Sequence, residues 1–260
     1  MGKRPFRREL RVLKMRKAVA LLSSGLDSAA NLALANEAGI DVQLALTFDY
    51  GQRAAVKEIE SAKRLSDYFG ISHLVVNLRN FPEWLGSSGS ALLDEGSMPS
   101  PESLDDLAVI RKSAKAVWVP NRNGVFISIA AAAAEARDAS VVLVGFNAEE
   151  AVTFPDNSRA YISAMNASLE FSTANRVKVE SLTSAWNKKE IVARLLEFSP
   201  SFPNGRFPFE AIWSCYVAEN QHCGICESCQ RLRRALLACD AVGVANKIFT
   251  KNRDDGVPSA

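Results

Sequence analysis

The apolar segment Lys17-Ala18-Val19-Ala20 runs into Leu21-Leu22-Ser23-Ser24-Gly25-Leu26-Asp27-Ser28, and an Ala- and Leu-rich stretch follows to Ala38. This pattern predicts a buried strand, a tight loop of small hydroxyl-bearing residues and then a helix. Such a unit gathers backbone N–H groups at a helix N-terminus, where the dipole favours negative charge. Small side chains let phosphate oxygens approach those amides, and the hydroxyls of Ser23, Ser24 and Ser28 add donors. The loop is not a Walker loop, because the Gly-Lys-Ser/Thr ending is missing. The competing reading is an ordinary strand–turn–helix joint with Asp27 and Ser28 as helix caps.

The rest of the chain repeats the strand-then-helix rhythm. Apolar runs predict strands at 18–22, 42–48, 73–78, 117–119 and 141–145, and amphipathic stretches predict helices at 27–38, 54–69, 124–136 and 159–171. Continuously apolar strands between amphipathic helices predict an α/β fold, a doubly wound parallel sheet covered on both faces. Ligands in such sheets sit at the carboxyl ends of the strands. That rule gathers 23–28, 47–52, 120–123 and 146–156 around one mouth. Residues 80–115, with Pro82, Pro99 and Pro101, break the rhythm and predict a long surface excursion, either a lid or a subunit contact. Residues 199–209 predict a second non-helical connection.

At 260 residues, 48% apolar and 23% charged, the chain suits one soluble α/β domain. We expect a basic, flexible leader over 1–16, a single domain over 17–250 and a flexible tail over 251–260. No apolar run approaches the ~20 residues of a membrane span, and no secretory signal is evident, so a cytoplasmic protein is expected. The net charge is +2, but residues 1–17 hold eight Lys or Arg against Glu9 alone, which leaves the body at −5. An acidic body is a poor platform for tracking nucleic-acid phosphates, so no direct nucleic-acid contact is expected.

Four of the five cysteines lie close together, as Cys215-x7-Cys223-x2-Cys226-x2-Cys229. Overlapping Cys-x2-Cys steps place three thiolates on one turn, and Cys215 can close a tetrahedron from an adjacent segment. The expectation is a closed, structural Zn²⁺ knuckle within 213–232, with an iron–sulfur cluster as the alternative. His222 could replace one thiolate. Cys239 is expected in the core.

The loop at 23–28, Leu46-Thr-Phe-Asp-Tyr-Gly-Gln52, Val119-Pro-Asn-Arg-Asn123, Gly145-Phe-Asn-Ala148 and Trp213-Ser-Cys-Tyr216 occur in one order with the cysteines. The first loop resembles the Ser-Gly-Gly-x-Asp-Ser loop of the ATP pyrophosphatases (the PP-loop superfamily, with an adenine nucleotide alpha-hydrolase type of Rossmann-like fold). The whole set, over about 17–240, resembles the 7-cyano-7-deazaguanine synthases of queuosine and archaeosine precursor biosynthesis.

The resemblance implies an ATP-dependent ligase that converts 7-carboxy-7-deazaguanine and ammonia to the 7-cyano compound through adenylated intermediates, with ATP, Mg²⁺ and Zn²⁺. By the same resemblance, Leu22, Ser23, Ser24, Gly25, Leu26, Asp27, Ser28, Ala29, Ala30, Asn31 and Leu32 hold the ATP phosphates. Asp27 is also a candidate for orienting Mg²⁺ or the loop. Asp49 and Gln52 line the adenosine or form a plain turn. Lys188 matches a family lysine that neutralises departing pyrophosphate, against the reading of a solvated helix lysine. Arg122 is expected to grip a carboxylate or phosphate, against a structural salt bridge. Asn123, Asn147, Glu150 and Asp156 complete the substrate pocket, with Asp156 suited to the N–H edge of a guanine-type base.

The chain departs from the family pattern at several positions. Ser24 stands where Gly is usual and is expected to fit only at negative φ. Asn121 replaces Ala, Glu150 replaces Asp and Ser158 replaces Arg. Two other readings stay open: another PP-loop enzyme acting on a related acid or amine, and a nucleotide-binding relative without turnover. A homodimer is compatible with the long excursion.

Overall fold

Five parallel strands carry the alternation expected of the chain. The computed structural model describes residues 15–86, 89–93, 98–217 and 220–249. Strands β1 (Arg16–Leu21), β2 (Ile40–Asp49), β3 (Ser72–Asn77), β4 (Val141–Leu143) and β5 (Lys178–Glu180) pair in the order β3-β2-β1-β4-β5. The helices are α1 (Leu26–Leu34), α2 (Ala55–Phe69), α3 (Phe81–Leu85), α4 (Leu107–Ala116), α5 (Arg122–Glu135), α6 (Arg159–Ser172), α7 (Lys188–Glu197), α8 (Glu227–Leu237) and α9 (Val242–Ile248). Among the described residues no helix is long and apolar enough to cross a membrane.

Strand periodicity sorts the core into two halves. Ala18 and Ala20 of β1 face a core shared with α1, α2, α7, α8 and α9, whereas Val19 faces one shared with α5 and α6. The chain therefore covers both faces of the sheet. It extends the sheet in one direction through β2 and β3, then returns to place β4 on the other side of β1. The carboxyl ends of β1 and β4 thus flank a topological switch point, where such sheets open a crevice.

Two expectations change. Residues 117–119 are not a strand: Val117 terminates α4, and Val119 lies buried in the connection to α5. Their apolar character serves the core without pairing. The fifth strand is β5, of only three residues, where Val179 alone is buried between Lys178 and Glu180; so short a run leaves no periodic signal. The excursion over 80–115 is not structureless, since it holds α3 and α4 and reaches the cysteine region through Ser113 and Glu227. The connection over 199–209, expected to be non-helical, holds no α-helix but is built of short 3-10 helices that begin at Ser199, Pro203 and Phe209. Of the leader, residues 1–14 lie outside the described residues, as does the tail over 251–260. Arg16 belongs to β1 and pairs with Glu180 of β5.

The switch point is tightly built. A Cβ placed on Gly145, just past β4, would lie 2.4 Å from the Ser28 nitrogen and 2.6 Å from its Cα. Only glycine lets this loop lie against the start of α1. Gly145→Ala is expected to lower stability by about 1–3 kcal/mol, the usual cost of overpacking, read as a lower urea midpoint. An unchanged midpoint would show that the two backbones do not need this approach.

Candidate active site

The loop after β1 enters α1 without a side-chain cap. Gly25 occupies the N-cap position, so neither Asp27 nor Ser28 caps the helix. The first N–H groups of any helix lack intrahelical acceptors, and the residues that carry them here, Leu26–Ser28, line the mouth. Ser28 Oγ donates to Gly25 O at 3.1 Å and lies 3.2 Å from Ser23 Oγ, which shapes the bend. Ser24 is buried with φ +63°, against the expectation of a negative angle. Its carbonyl accepts the Trp213 N–H at 2.9 Å. That bond holds the turn in a left-handed conformation that costs an L-residue roughly 1–2 kcal/mol.

Lys188 is the centre of the site. It opens α7, whose N-terminus is fixed by a capping box between Asn187 and Glu190. Its side chain is only 6% exposed and lies 2.7 Å from Asp27 Oδ2 and 2.8 Å from Glu150 Oε1. The solvated-lysine reading is therefore wrong. Burial by itself would lower the lysine's pKa, but the two carboxylates carry it above its ordinary value. Burial raises Asp27 to about 6, more than Lys188 can lower it. Glu150 feels the same burial, yet Lys188 and Arg231 hold it below the usual range.

These groups open on a cavity of about 230 Å³. Its wall includes Leu22, Ser23, Gly25–Ser28, Gln52, Glu58, Arg122, Asn123, Gly145, Glu150, Lys188, Trp213 and Tyr216. The aromatic side is built from Phe48 stacked on Phe126 at 4.0 Å, with Tyr50 tilted against the latter. Arg122 opens α5 rather than ending a strand, and its Nη1 donates to the Tyr50 hydroxyl at 3.1 Å. Burial would lower its pKa, but Tyr50, Asp156 and Glu58 raise it, so it faces the cavity as a cation. No carboxylate pairs with Arg122 within 4 Å among the described residues.

Several expected site residues are placed elsewhere. Ala29, Ala30 and Leu32 are buried in the core along α1, and Asn31 pins that helix to the segment after β5 through Leu182 N at 2.6 Å and Thr183 Oγ1 at 2.7 Å. Asp49 turns to Arg79 at 2.7 Å and does not line the cavity. Gln52 does line it, but its amide is used inside the protein, donating to Phe48 O at 2.9 Å and Glu58 Oε2 at 2.7 Å. Asn147 is fully buried and accepts the Glu150 N–H at 2.8 Å, which shapes the loop. Asp156 stands behind Asn123, whose amide it accepts at 2.9 Å. Asn121 and Ser158 have local roles: Asn121 takes the left-handed turn before α5, and Ser158 caps α6.

Glu58, Tyr216 and Trp213 were not expected at the wall. Glu58 carried a legible signal, because it shares its helix stripe with the buried Ala62 and Leu65. A carboxylate on a core stripe needs a partner or a ligand.

The four cysteine sulfurs at 215, 223, 226 and 229 lie within 4.8 Å of one another. A tetrahedral zinc site with Zn–S of ~2.3 Å sets comparable spacings, so the donor set fits one such ion. Backbone N–H groups of Val217 and Cys223 point at Cys215 Sγ, both at 3.4 Å. His222 is not a fifth ligand. Its Nε2 accepts the Ser214 N–H at 3.1 Å, and burial lowers its pKa to about 4. Cys239 is only partly buried, with its thiol against Lys189 O at 3.4 Å.

The segments that form this mouth and the cysteine cluster all fall inside residues 17–240, which match the family model for the queuosine biosynthesis protein QueC. The chain belongs to the QueC family. A relative from Desulforamulus reducens is 48% identical over 222 residues, covering 84% of this chain and 92% of the relative. One from Methanosarcina barkeri is 46% identical, covering 84% and 93%. A third, from Carboxydothermus hydrogenoformans, is 44% identical, covering 85% and 98%. All three carry the name 7-cyano-7-deazaguanine synthase. The chain is accordingly an enzyme.

Lys188→Met is expected to leave two buried carboxylates uncompensated, at a cost of about 3–5 kcal/mol. The sign of its pH dependence follows from the two shifts. Asp27, raised to about 6, favours folding most below its unfolded value and loses that contribution as pH rises through 6. Glu150, lowered, contributes above its unfolded value and loses stability as pH falls. Removing the ammonium raises both. The deficit against the parent should be large at pH 8 and shrink towards pH 5, read by urea unfolding. A pH-independent deficit would contradict the assignment of charge.

Proposed function

We propose that this chain is an ATP-dependent ligase that converts 7-carboxy-7-deazaguanine and ammonia to 7-cyano-7-deazaguanine. The observation that carries the reading is the buried ammonium of Lys188 beside an uncapped helix N-terminus at the sheet's switch point. The names of the relatives supply the product, 7-cyano-7-deazaguanine, and the family resemblance of the sequence supplies the acid and the ammonia. The reading assigns the loop Leu22–Ser28 and Lys188 to the triphosphate, and Arg122 and Asn123 to the acid.

A carboxylate is a poor electrophile and its oxygen a poor leaving group. In this scheme an acid oxygen attacks the α-phosphorus of ATP and pyrophosphate departs. Ammonia then displaces AMP from the acyl carbon and loses a proton, which leaves an amide. A second ATP adenylates the amide oxygen, and loss of AMP with the remaining N–H protons gives the nitrile. Such chemistry rests on positioning and on stabilising charge that builds on phosphates and departing oxygens. Lys188 and the loop amides meet that charge, and Arg122 orients the acid.

Mg²⁺ carried with the nucleotide would be met by Asp27, whose buried Oδ1 has no hydrogen-bond partner, and would neutralise phosphate charge. Zn²⁺ held by Cys215, Cys223, Cys226 and Cys229 would be structural, since four thiolates leave no open position.

The test is incubation with ATP, ammonium and 7-carboxy-7-deazaguanine, followed by product mass and pyrophosphate release. The 7-cyano product and two pyrophosphates per product are expected. Asp27→Ala should abolish release while metal content and folding persist. No product from the parent chain, or normal turnover by the variant, would overturn the assignment.

A further inference from the structure

Lys188 is held at both ends by adjacent residues of one loop. Glu150 takes its ammonium, while Glu149 Oε2 accepts its backbone N–H at 3.3 Å. The other oxygen of Glu149 is held from the far side, by Arg231 and, at 2.9 Å, by Arg234, both of α8. The Arg231 side chain is 4% exposed. Its Nε and Nη2 close on Glu227 Oε1 at 2.9 and 2.7 Å, and Glu227 accepts the Ser113 hydroxyl of α4. The same helix is capped by Cys226 and carries Cys229, two residues before Arg231.

We propose that Arg231 is a positioning residue for the reaction, which acts through Glu149 to fix the first turn of α7 and with it the Lys188 ammonium. The thiolate-bearing helix would then support the phosphate site as well as the C-terminal fold. Two carboxylates, Asp27 and Glu150, share the one lysine charge, and Glu149 is near enough to push Asp27 up. Arg231 occupies Glu149, so that carboxylate does not compete for the Lys188 ammonium. Its guanidinium spans two carboxylates from one rigid plane, which a lysine cannot reproduce. Glu227 alone would suffice to tie α8 to α4. The reach to Glu149 joins α8 to a different segment, the loop after β4.

This inference rests on the reading that Lys188 acts on the phosphates. The test compares Arg231→Met, Glu149→Gln and the double variant for kcat and KM for ATP in pyrophosphate release, with thermal midpoint and zinc per chain. Arg231→Met should lower kcat by about 10- to 100-fold, the scale on which misplacing a reacting group acts, with KM for ATP little changed and zinc retained. In the Glu149→Gln background the same substitution should cost no further kcat. The thermal midpoint should fall in both backgrounds, because Glu227 loses its cationic partner and keeps only the Ser113 hydroxyl.

Unchanged kcat in Arg231→Met, or losses that multiply in the double variant, would overturn the proposal. Should Arg231→Met fail to fold, Arg231→Lys keeps the charge without the fork and should show an intermediate kcat, whereas parental kcat in that variant would overturn the proposal. A parent chain that releases no pyrophosphate would overturn the functional reading and this inference with it. The other adverse results overturn this inference alone.

Discussion

One buried ammonium joins the parts of the mouth. Lys188 meets Asp27 from the loop after β1 and Glu150 from the loop after β4, and both contacts are under 3 Å. Desolvating three charges is costly, and their attraction offsets that cost only in close geometry. Each segment therefore has to be placed for the others to be tolerated. The switch point of the sheet supplies that placement, since it brings the ends of β1 and β4 side by side. An arrangement that is expensive when incomplete and preorganised when complete suits the stabilisation of developing charge that the proposed adenylyl transfer would need.

The C-terminal region supports the same mouth by other means. Helix α8 is mostly polar, and it docks through Leu232, Ala235 and Leu236, Cys229 with the N-cap Cys226, and the paired Glu227 and Arg231. A bound ion in a four-thiolate knuckle would be worth on the order of 10 kcal/mol to such a region. Trp213, just before the first of these cysteines, donates its backbone N–H to the Ser24 carbonyl and stabilises the left-handed turn in the loop. The loop conformation at residue 24 is thus set by a contact nearly 190 positions away in the chain.

What could be read from the sequence follows from this physics. The strand–loop–helix at 17–34, the long helices α2, α5 and α6, and the four-cysteine set were legible because each is local or periodic. Strand β5 was not, since three residues carry no period, and Val117 and Val119 imitated a strand while serving as buried linker. In the site, Asp27, Arg122 and Lys188 were singled out by their motifs, yet the Lys188–Asp27–Glu150 contact is long-range and invisible to spacing. Asp49 and Asp156 looked like wall residues, but Arg79 and Asn123 take their carboxylates. The expectation for Ser24 failed because a tertiary hydrogen bond overrides the intrinsic preference of a single residue.

The most direct test of the central claim is a crystal structure of the chain with a non-hydrolysable ATP analogue. The account predicts phosphate oxygens within hydrogen-bond distance of the amides of Gly25–Ser28, with Lys188 Nζ turned from Asp27 to the phosphates. A triphosphate bound elsewhere, or Lys188 still locked between Asp27 and Glu150 beside an occupied loop, would contradict it.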